Sequence, residues 1–86
     1  MHMAEVVYSK AALRALIRLP TDVSRKIRLK IEQYAAKPGS LANNVKALRG
    51  EPGVLRLRVG DWRVLFTEEG TVVAVIKIAP RGDAYD

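Results

Sequence analysis

The chain has 86 residues, of which 49% are hydrophobic and 28% charged, and its formal net charge is +6 at pH 7. A chain of this length can bury one core, so we expect residues 1–86 to form a single domain. It has no cysteine and one histidine, His2, which excludes disulfides, thiolate catalysis and histidine or thiolate metal sites, and we expect no cofactor. We interpret Met1-His2 as a remnant of an expression vector.

The positive charge lies mainly in the first part of the chain. Residues 1–50 carry ten Lys and Arg against three Asp and Glu, whereas residues 51–86 carry five against six. Clustered cations favour a polyanionic partner, because they release the counterions of its phosphates. The apolar run from Val72 to Ile76 is far shorter than the roughly 20 residues that a membrane helix needs. We therefore expect a cytoplasmic protein that binds a polyanion and no membrane.

A strand and a helix are predicted at the start of the chain. The segment Glu5-Val6-Val7-Tyr8 is β-branched and aromatic, which is typical of a strand. Ser9 can then cap a first helix, and Pro20 ends it because proline disfavours helical geometry in the residue before it. The apolar stripe that this helix should bury consists of Ala12, Leu13, Leu16 and Ile17.

A second, amphipathic helix should follow. Thr21-Asp22 offers a capping hydroxyl and an acid at the positive end of the helix dipole, and Lys37-Pro38-Gly39 stops the helix. Its apolar face repeats at four-residue spacing, as Val23, Ile27, Ile31 and Ala35. Its other faces are basic and carry Arg25, Lys26, Arg28 and Lys30. A loop through Asn43-Asn44 then leads to Leu48-Arg49-Gly50.

After this loop the hydrophobic period changes from helical to two, which predicts a three-strand antiparallel meander. Its first turn is Gly60-Asp61, a two-residue hairpin with glycine first, and its second turn is Glu68-Glu69-Gly70. The last strand runs from Thr71 to Ile78. The predicted fold class is therefore α+β: an N-terminal strand, two helices and the meander, forming one sheet with the helices packed on one face.

The two faces of this sheet differ in residue type. In the register set by the Gly60-Asp61 turn, Arg58 lies opposite Arg63, and Arg56 lies opposite Leu65 on the same face. The other face should pack on the helices and carries Leu55, Leu57, Val59, Trp62, Val64 and Phe66. The sequence thus predicts a core face and an arginine face.

The second turn sets the register of the last strand. If Thr67 lies opposite Thr71, Val75 falls opposite Arg63 and Lys77 falls on the arginine face, with Arg81 just past the strand. Like charges directly opposite one another cost a few tenths to about 1 kcal/mol. A single arginine on a solvated sheet face needs no ligand, because its long apolar stem can cover the sheet. A cluster of arginines instead favours an anion site, because each guanidinium can bind two phosphate oxygens.

Three stretches carry a family resemblance: Leu48-Arg49-Gly50, the run from Leu55 to Phe66, and the ending Pro80-Arg81-Gly82-Asp83-Ala84-Tyr85. With the element order, they resemble the RelE toxins of bacterial and archaeal toxin–antitoxin systems, in the RelE/ParE superfamily. The resemblance implies a toxin that cuts messenger RNA in the ribosomal A site. It also implies a cognate antitoxin that wraps the domain, and a basic toxin favours an acidic antitoxin. The catalytic positions it implies are Arg56, Arg58, Arg63, Arg81 and Tyr85.

Cleavage by attack of the ribose 2′-hydroxyl needs a base, an acid and stabilisation of the phosphorane charge. Arginine supplies only the last of these, because it stays protonated. We expect Arg63 and Arg81 to hold the scissile phosphate, and Arg56 and Arg58 either to hold neighbouring phosphates or to lower the pKa of a partner group. Proton transfer or base stacking then falls to Tyr85, with Asp61 and Asp83 as alternative bases.

The remaining cations are expected to bind ribosomal RNA. Those on the second helix are Arg25, Lys26, Arg28 and Lys30, and Lys77 lies on the sheet. The alternative for the helix is an ordinary solvated face.

Two other functions compete with RNA cleavage. A toxin of the related ParE branch shares the fold and inhibits DNA gyrase by binding, which requires no arginine-lined catalytic face. A basic RNA-binding module without catalysis would need several exposed aromatic side chains on the sheet for base stacking, and Trp62 is predicted on the core face.

Overall fold

The computed structural model describes residues 5–82 and confirms the α+β class. Its elements, in chain order, are β1 (Glu5–Tyr8), α1 (Lys10–Arg18), α2 (Thr21–Ala36), a 3₁₀ segment (Pro38–Asn44), β2 (Val45–Ala47), β3 (Val54–Val59), β4 (Trp62–Glu69) and β5 (Val72–Pro80). Neither α1 nor α2 is long and apolar enough to cross a lipid bilayer.

One mixed sheet contains all five strands, in the order β1-β5-β4-β3-β2. The pair β1–β5 is parallel and the other pairs are antiparallel. The strand β2 was not predicted, because a strand of three residues is too short to show an alternation of apolar and polar residues. Its pairing with β3 places Val45 opposite Leu57 and Lys46 opposite Arg56.

The two helices begin in different ways. The Ser9 hydroxyl caps α1 as predicted: its oxygen accepts from the Ala12 amide (3.0 Å) and the hydroxyl donates to the Ile76 carbonyl (2.6 Å). The predicted Thr21 cap is wrong, because Thr21 is already helical and Pro20 precedes it without a side-chain capping bond. Pro20 itself occupies the N-cap position, and its carbonyl accepts from the Ser24 amide at 2.9 Å.

The apolar face of α2 packs on the predicted core face of the sheet. Ile27 and Ile31 are buried against Leu57, Val64 and Phe66. In the same cluster the Tyr34 ring meets the Phe66 ring edge-on, with centroids 4.9 Å apart. The helices therefore cover one side of the sheet.

Only half of the predicted α1 stripe is buried. Ala12 and Leu16 enter the core, but Leu13 is 39% exposed and Ile17 is 78% exposed. A two-turn helix lying on β5 and β1 presents a narrow strip to the sheet, so the outer half of an apolar stripe faces solvent.

The first hairpin of the meander has the predicted register. Val59 pairs with Trp62, Arg58 with Arg63 and Arg56 with Leu65. Gly60 has φ +59°, a conformation in which a side chain is strained, so glycine is required at the first turn position.

The predicted register of the second hairpin is wrong. Glu69 pairs with Val72, so the turn is Gly70-Thr71, and Arg63 lies opposite Ala79 instead of Val75. A β-bulge causes part of the difference: Leu65 pairs with Lys77 and Phe66 with Val75, which leaves Ile76 as an extra residue.

This bulge reverses the alternation along β5. Val73 and Val75 point into the core before it, and Ile78 does so after it. Lys77, which strict alternation would send into the core, therefore lies opposite Leu65 on the arginine face. The predicted face of Lys77 is confirmed, although the register that led to it is not.

Candidate nucleic-acid interface

A cleft of about 270 Å³ lies on the side of the sheet that the helices leave open. Strands β3 and β4 bring their arginines to it, the end of β5 adds another, and β2 with the 3₁₀ segment closes one side. The side chains that line it are Asn43, Asn44, Lys46, Arg56, Arg58, Arg63 and Arg81. The cleft thus contains all four arginines that were predicted as catalytic.

Arg63 is the buried member of this group, with only 7% of its surface exposed. Its Nη1 donates to the Gly60 carbonyl and to the Trp62 carbonyl, both at 3.1 Å. These carbonyls belong to the first hairpin, so the guanidinium also ties the turn to β4. A buried charge held by hydrogen bonds has a fixed orientation, which suits it to positioning a phosphate.

Three further cations surround Arg63 on the same face. Arg58 lies directly opposite it and is exposed, and the half-buried Arg56 lies opposite Lys46. Side chains of like charge therefore lie opposite one another in two places on adjacent strands. Several cations close together favour phosphate groups over neutral ligands, because hydrogen bonds between charged groups are the stronger ones.

Arg81 is brought to the cleft by the end of β5. Trp62 pairs with Pro80, and the Arg81 amide donates to the Asp61 carbonyl at 2.7 Å. This bond joins the first residue after the strand to the β3–β4 turn. The exposed Arg81 side chain therefore starts from a fixed backbone position beside Arg63.

A small apolar cluster supports the same face of the sheet. Leu48, Leu65 and Ala79 are buried together, with Val54 packed against them. Lys77 lies opposite Leu65, half-buried, and does not line the cleft. Lys77 is thus on the predicted face but outside the arginine group.

The residues lining the cleft within positions 5–82 offer cations and amides and no carboxylate. Asp61 lies at the exposed hairpin turn and lines a different cavity, beside Lys26 and Trp62. Its side chain therefore does not share the cleft with the arginines. Tyr85 and Asp83, the other predicted proton carriers, lie outside the described residues.

The described tyrosines are unsuited to accept a proton near neutral pH. Burial raises the pKa of Tyr34 to about 12, and a hydrogen bond to Glu68 contributes in the same direction. Burial also raises the pKa of Tyr8, against the opposing effect of Arg28. Both side chains lie with the helices on the core side of the sheet. They serve the core and do not reach the cleft.

The basic residues of α2 lie on the other side of the molecule from the cleft. This helix packs on the core face and its cations do not line the cleft, although the Lys26 Nζ reaches the Gly60 turn at the edge of the sheet. The exposed cations of this surface are Arg25, Lys26 and Arg28, and Lys30 is half-buried. The structure therefore does not bring the two predicted basic groups together.

Sequence patterns missed three lining residues: Asn43, Asn44 and Lys46. Their segment looked like a loop, and only the pairing of β2 with β3 carries them to the cleft. The sequence offered one indication of a strand here, the β-branched Val45 next to Lys46. The segment is too short to show the alternation of apolar and polar residues that identifies a strand.

Comparison with known proteins identifies the family of this chain. A family model described as the ParE toxin of type II toxin–antitoxin systems, parDE, matches residues 6–85. Toxin RelE3 of Methanocaldococcus jannaschii is 25% identical over 84 residues, which cover 95% of this chain and 96% of the relative.

Solved structures give the same fold. The archaeal RelE–RelB complex of Pyrococcus horikoshii OT3 matches with a TM-score of 0.77 and 26% identity, covering 95% of this chain and 99% of that chain. The intact RelBE toxin–antitoxin complex of E. coli matches with a TM-score of 0.73 and 20% identity, covering 90% and 95% respectively. Since the family model spans nearly the whole chain, this protein belongs to the ParE toxin family of type II toxin–antitoxin systems, within the RelE/ParE superfamily that its sequence resembles.

Proposed function

We propose that this toxin is a ribosome-dependent endoribonuclease that cleaves messenger RNA in the A site and thereby blocks translation in the cytoplasm. The observation that carries the proposal is the convergence of Arg56, Arg58, Arg63 and Arg81 in one cleft on the open face of the sheet. Such a group can bind consecutive phosphates and stabilise the negative charge that grows on the phosphorane.

The arginines would act by electrostatics and positioning. Arg63, fixed by the hairpin carbonyls, and Arg81 would hold the scissile phosphate, while Arg56 and Arg58 would hold its neighbours. Proton transfer would fall to Tyr85 or to Asp83, because guanidinium groups stay protonated. The cations of the cleft would lower the pKa of a tyrosine that reached them.

Gyrase inhibition is the second candidate function, and the name of the matching family model favours it. The RelE relative and the composition of the cleft favour RNA cleavage instead, because a protein that acts only by binding gyrase has no need of opposed arginines on adjacent strands.

A reconstituted translation reaction with primer extension on the mRNA separates RNA cleavage from gyrase inhibition. We expect new 3′ ends within A-site codons. Intact mRNA together with inhibited DNA supercoiling by purified gyrase would support the alternative.

The basic outer face of α2 would dock on ribosomal RNA. Replacing Arg25, Lys26 and Lys30 with glutamine should weaken ribosome binding and flatten its dependence on salt. Each lost phosphate contact lowers the log–log slope by about one unit. Binding is measured by sedimentation at several salt concentrations.

Two results decide whether this face is the docking surface. Lys10→Gln, which removes one exposed charge at the start of α1, should leave the slope near the wild-type value. An unchanged slope in the triple variant would show that α2 is an ordinary solvated face.

An acidic antitoxin would bind the groove between the two helices. This groove, of about 400 Å³, contains Ile17, which is 78% exposed, and Leu29, which is 59% exposed; two cations, Arg25 and Arg28, and one acid, Glu32, also line it. An amphipathic acidic segment matches both features, because it buries apolar side chains and pairs with the cations. Known RelE proteins have been solved in complex with RelB.

Replacing Ile17 with aspartate should weaken antitoxin binding at least tenfold, because it places a negative charge in the apolar part of the groove and among the acidic groups of the partner. The fold should be unaffected, since Ile17 is mostly exposed. Calorimetry with the cognate antitoxin measures the effect. Ala11→Asp adds the same charge to exposed α1 surface outside the groove and should bind as the wild type does. Equal weakening by both variants would point to a nonspecific charge effect.

A further inference from the structure

Two neighbouring asparagines lie at the side of the arginine cleft. Asn43 and Asn44 end the 3₁₀ segment, and their side chains line the cleft together with five cations. Arginine and lysine can only donate hydrogen bonds, whereas an asparagine amide both donates and accepts. These two amides are therefore the groups of the described lining that can recognise a ligand by a donor–acceptor pattern.

The usual structural reasons for asparagine do not apply to this pair. Asparagine is often selected where the backbone is left-handed, but within residues 5–82 only glycines have positive φ. It also often closes a turn with its side chain, but the side-chain hydrogen bonds of this segment come from Gln33 and Ser40. Among residues 5–82, the side-chain hydrogen bonds that hold this segment together therefore do not come from the two amides.

The segment is anchored by other residues. Leu41 is buried in the core, with 5% of its surface exposed. The Ser40 hydroxyl accepts from Gln33 Nε2 (3.2 Å) and donates to the Lys37 carbonyl (2.7 Å). Immediately after the asparagines, Val45 joins the sheet opposite Leu57. Asn43 and Asn44 are therefore held between two fixed points, which gives a recognition site the rigid support that it needs.

The cations and the asparagine amides of the cleft suit different parts of a nucleic acid. Contacts to phosphates position a nucleic acid but do not read its sequence. An asparagine amide matches the N6 donor and N7 acceptor of adenine, and bases of single-stranded RNA expose these edges when they are unstacked. We infer that Asn43 and Asn44 form a nucleobase subsite that binds an adenine adjacent to the phosphate held by the arginines. This inference rests on the proposed function and adds a base preference to it.

Binding of short RNAs that cannot be cleaved tests the subsite directly. Trinucleotides with a 2′-O-methyl group on every ribose carry adenine, 7-deaza-adenine or unsubstituted purine as the middle base. The second base lacks the N7 acceptor and the third lacks the N6 donor. Fluorescence anisotropy should show that the wild-type protein binds the adenine RNA about fivefold to a hundredfold more tightly than either analogue.

Variants on the two sides of the cleft separate base recognition from phosphate binding. Asn43→Ala and Asn44→Ala should bind the three RNAs with nearly equal affinity. Lys46→Ala should weaken all three by the same factor and keep the adenine preference, because it loses only a phosphate contact. Two results would overturn the subsite. One is equal affinity of the wild-type protein for the three RNAs, including no measurable binding; the other is an adenine preference that survives in both asparagine variants.

Cleavage of ribosome-bound mRNA is assayed separately with the same proteins. A toxin that fails to cleave but shows the adenine preference disproves the proposed function and keeps the subsite. A toxin that cleaves but binds the three RNAs equally keeps the function and disproves the subsite.

Discussion

Replacing Arg81 with alanine should slow cleavage of ribosome-bound mRNA by about 10²- to 10³-fold, the usual effect of removing one donor to a charge that develops in the transition state. Arg81 is exposed, and its backbone amide, not its side chain, bonds to the Asp61 carbonyl. The variant should therefore fold and unfold as the wild type does. Single-turnover cleavage at saturating ribosome concentration measures the chemical step without the contribution of docking.

Arg14→Ala is the matched control for Arg81. Arg14 is also an exposed arginine, but it lies on α1, on the helix side of the sheet. Its removal changes the net charge by the same amount, so the control should cleave within a few-fold of the wild-type rate. Equal losses in the two variants would mean that net charge, and not the cleft, controls cleavage. Wild-type cleavage by Arg81→Ala would remove Arg81 from the site.

Replacing Arg63 with alanine should lower both stability and cleavage. The truncation removes the charged donor from the Gly60 and Trp62 carbonyls, which accept partly buried hydrogen bonds from it. Losing partly buried hydrogen bonds of this kind costs about 1 kcal/mol of unfolding free energy. Because Arg63 also faces the cleft, cleavage should fall at least as far as in Arg81→Ala. Urea unfolding measures the loss of stability. Single-turnover cleavage in the absence of urea, measured separately, gives the loss of activity.

Arg63→Lys separates the two roles of this residue. Lysine keeps the charge but has no planar fork, so it cannot bond two hairpin carbonyls and a phosphate in a fixed geometry. It should recover part of the stability and little of the cleavage. An Arg63→Ala protein that unfolds at the wild-type urea concentration would contradict the structural role inferred from the two 3.1 Å bonds.

The sequence predicted those parts of the fold that short-range chemistry determines. Gly60-Asp61 fixes the register of β3 and β4, since a two-residue turn with glycine first allows one pairing. That register alone placed Arg56, Arg58 and Arg63 on one face, which is why most of the candidate site could be predicted.

The errors occur where tertiary packing overrides a local pattern. The bulge at Ile76 is invisible in the apolar run of β5, so the pairing of Arg63 with Ala79 could not be deduced. The stripe of α1 is apolar through Ile17, but the short helix rests on the sheet with only its inner edge. Lys46 and the two asparagines reach the cleft through β2, a strand that exists because β3 is there to pair with it.

The two basic surfaces are expected to have different tasks. The four cations of α2 contribute to the positive field of the first part of the chain, which acts over distances of about a Debye length. The four arginines of the cleft lie in residues 51–86, where acids and bases are nearly equal in number, so their attraction for phosphate comes from local arrangement. An antitoxin seated in the groove of α1 and α2 would cover Arg25 and Arg28 and compete with ribosomal RNA for them.

The claim that the cleft, and not α2, binds mRNA is tested most directly by NMR of the arginine side chains. The protein is titrated with a short mRNA analogue that carries 2′-O-methyl groups. The Nε–Hε signals of Arg56, Arg58, Arg63 and Arg81 should shift together and saturate at one RNA per protein. Those of Arg25 and Arg28 should stay in place until longer RNA is added. Shifts confined to the α2 arginines, with the four cleft signals unchanged, would contradict the assignment of the open sheet face as the RNA site.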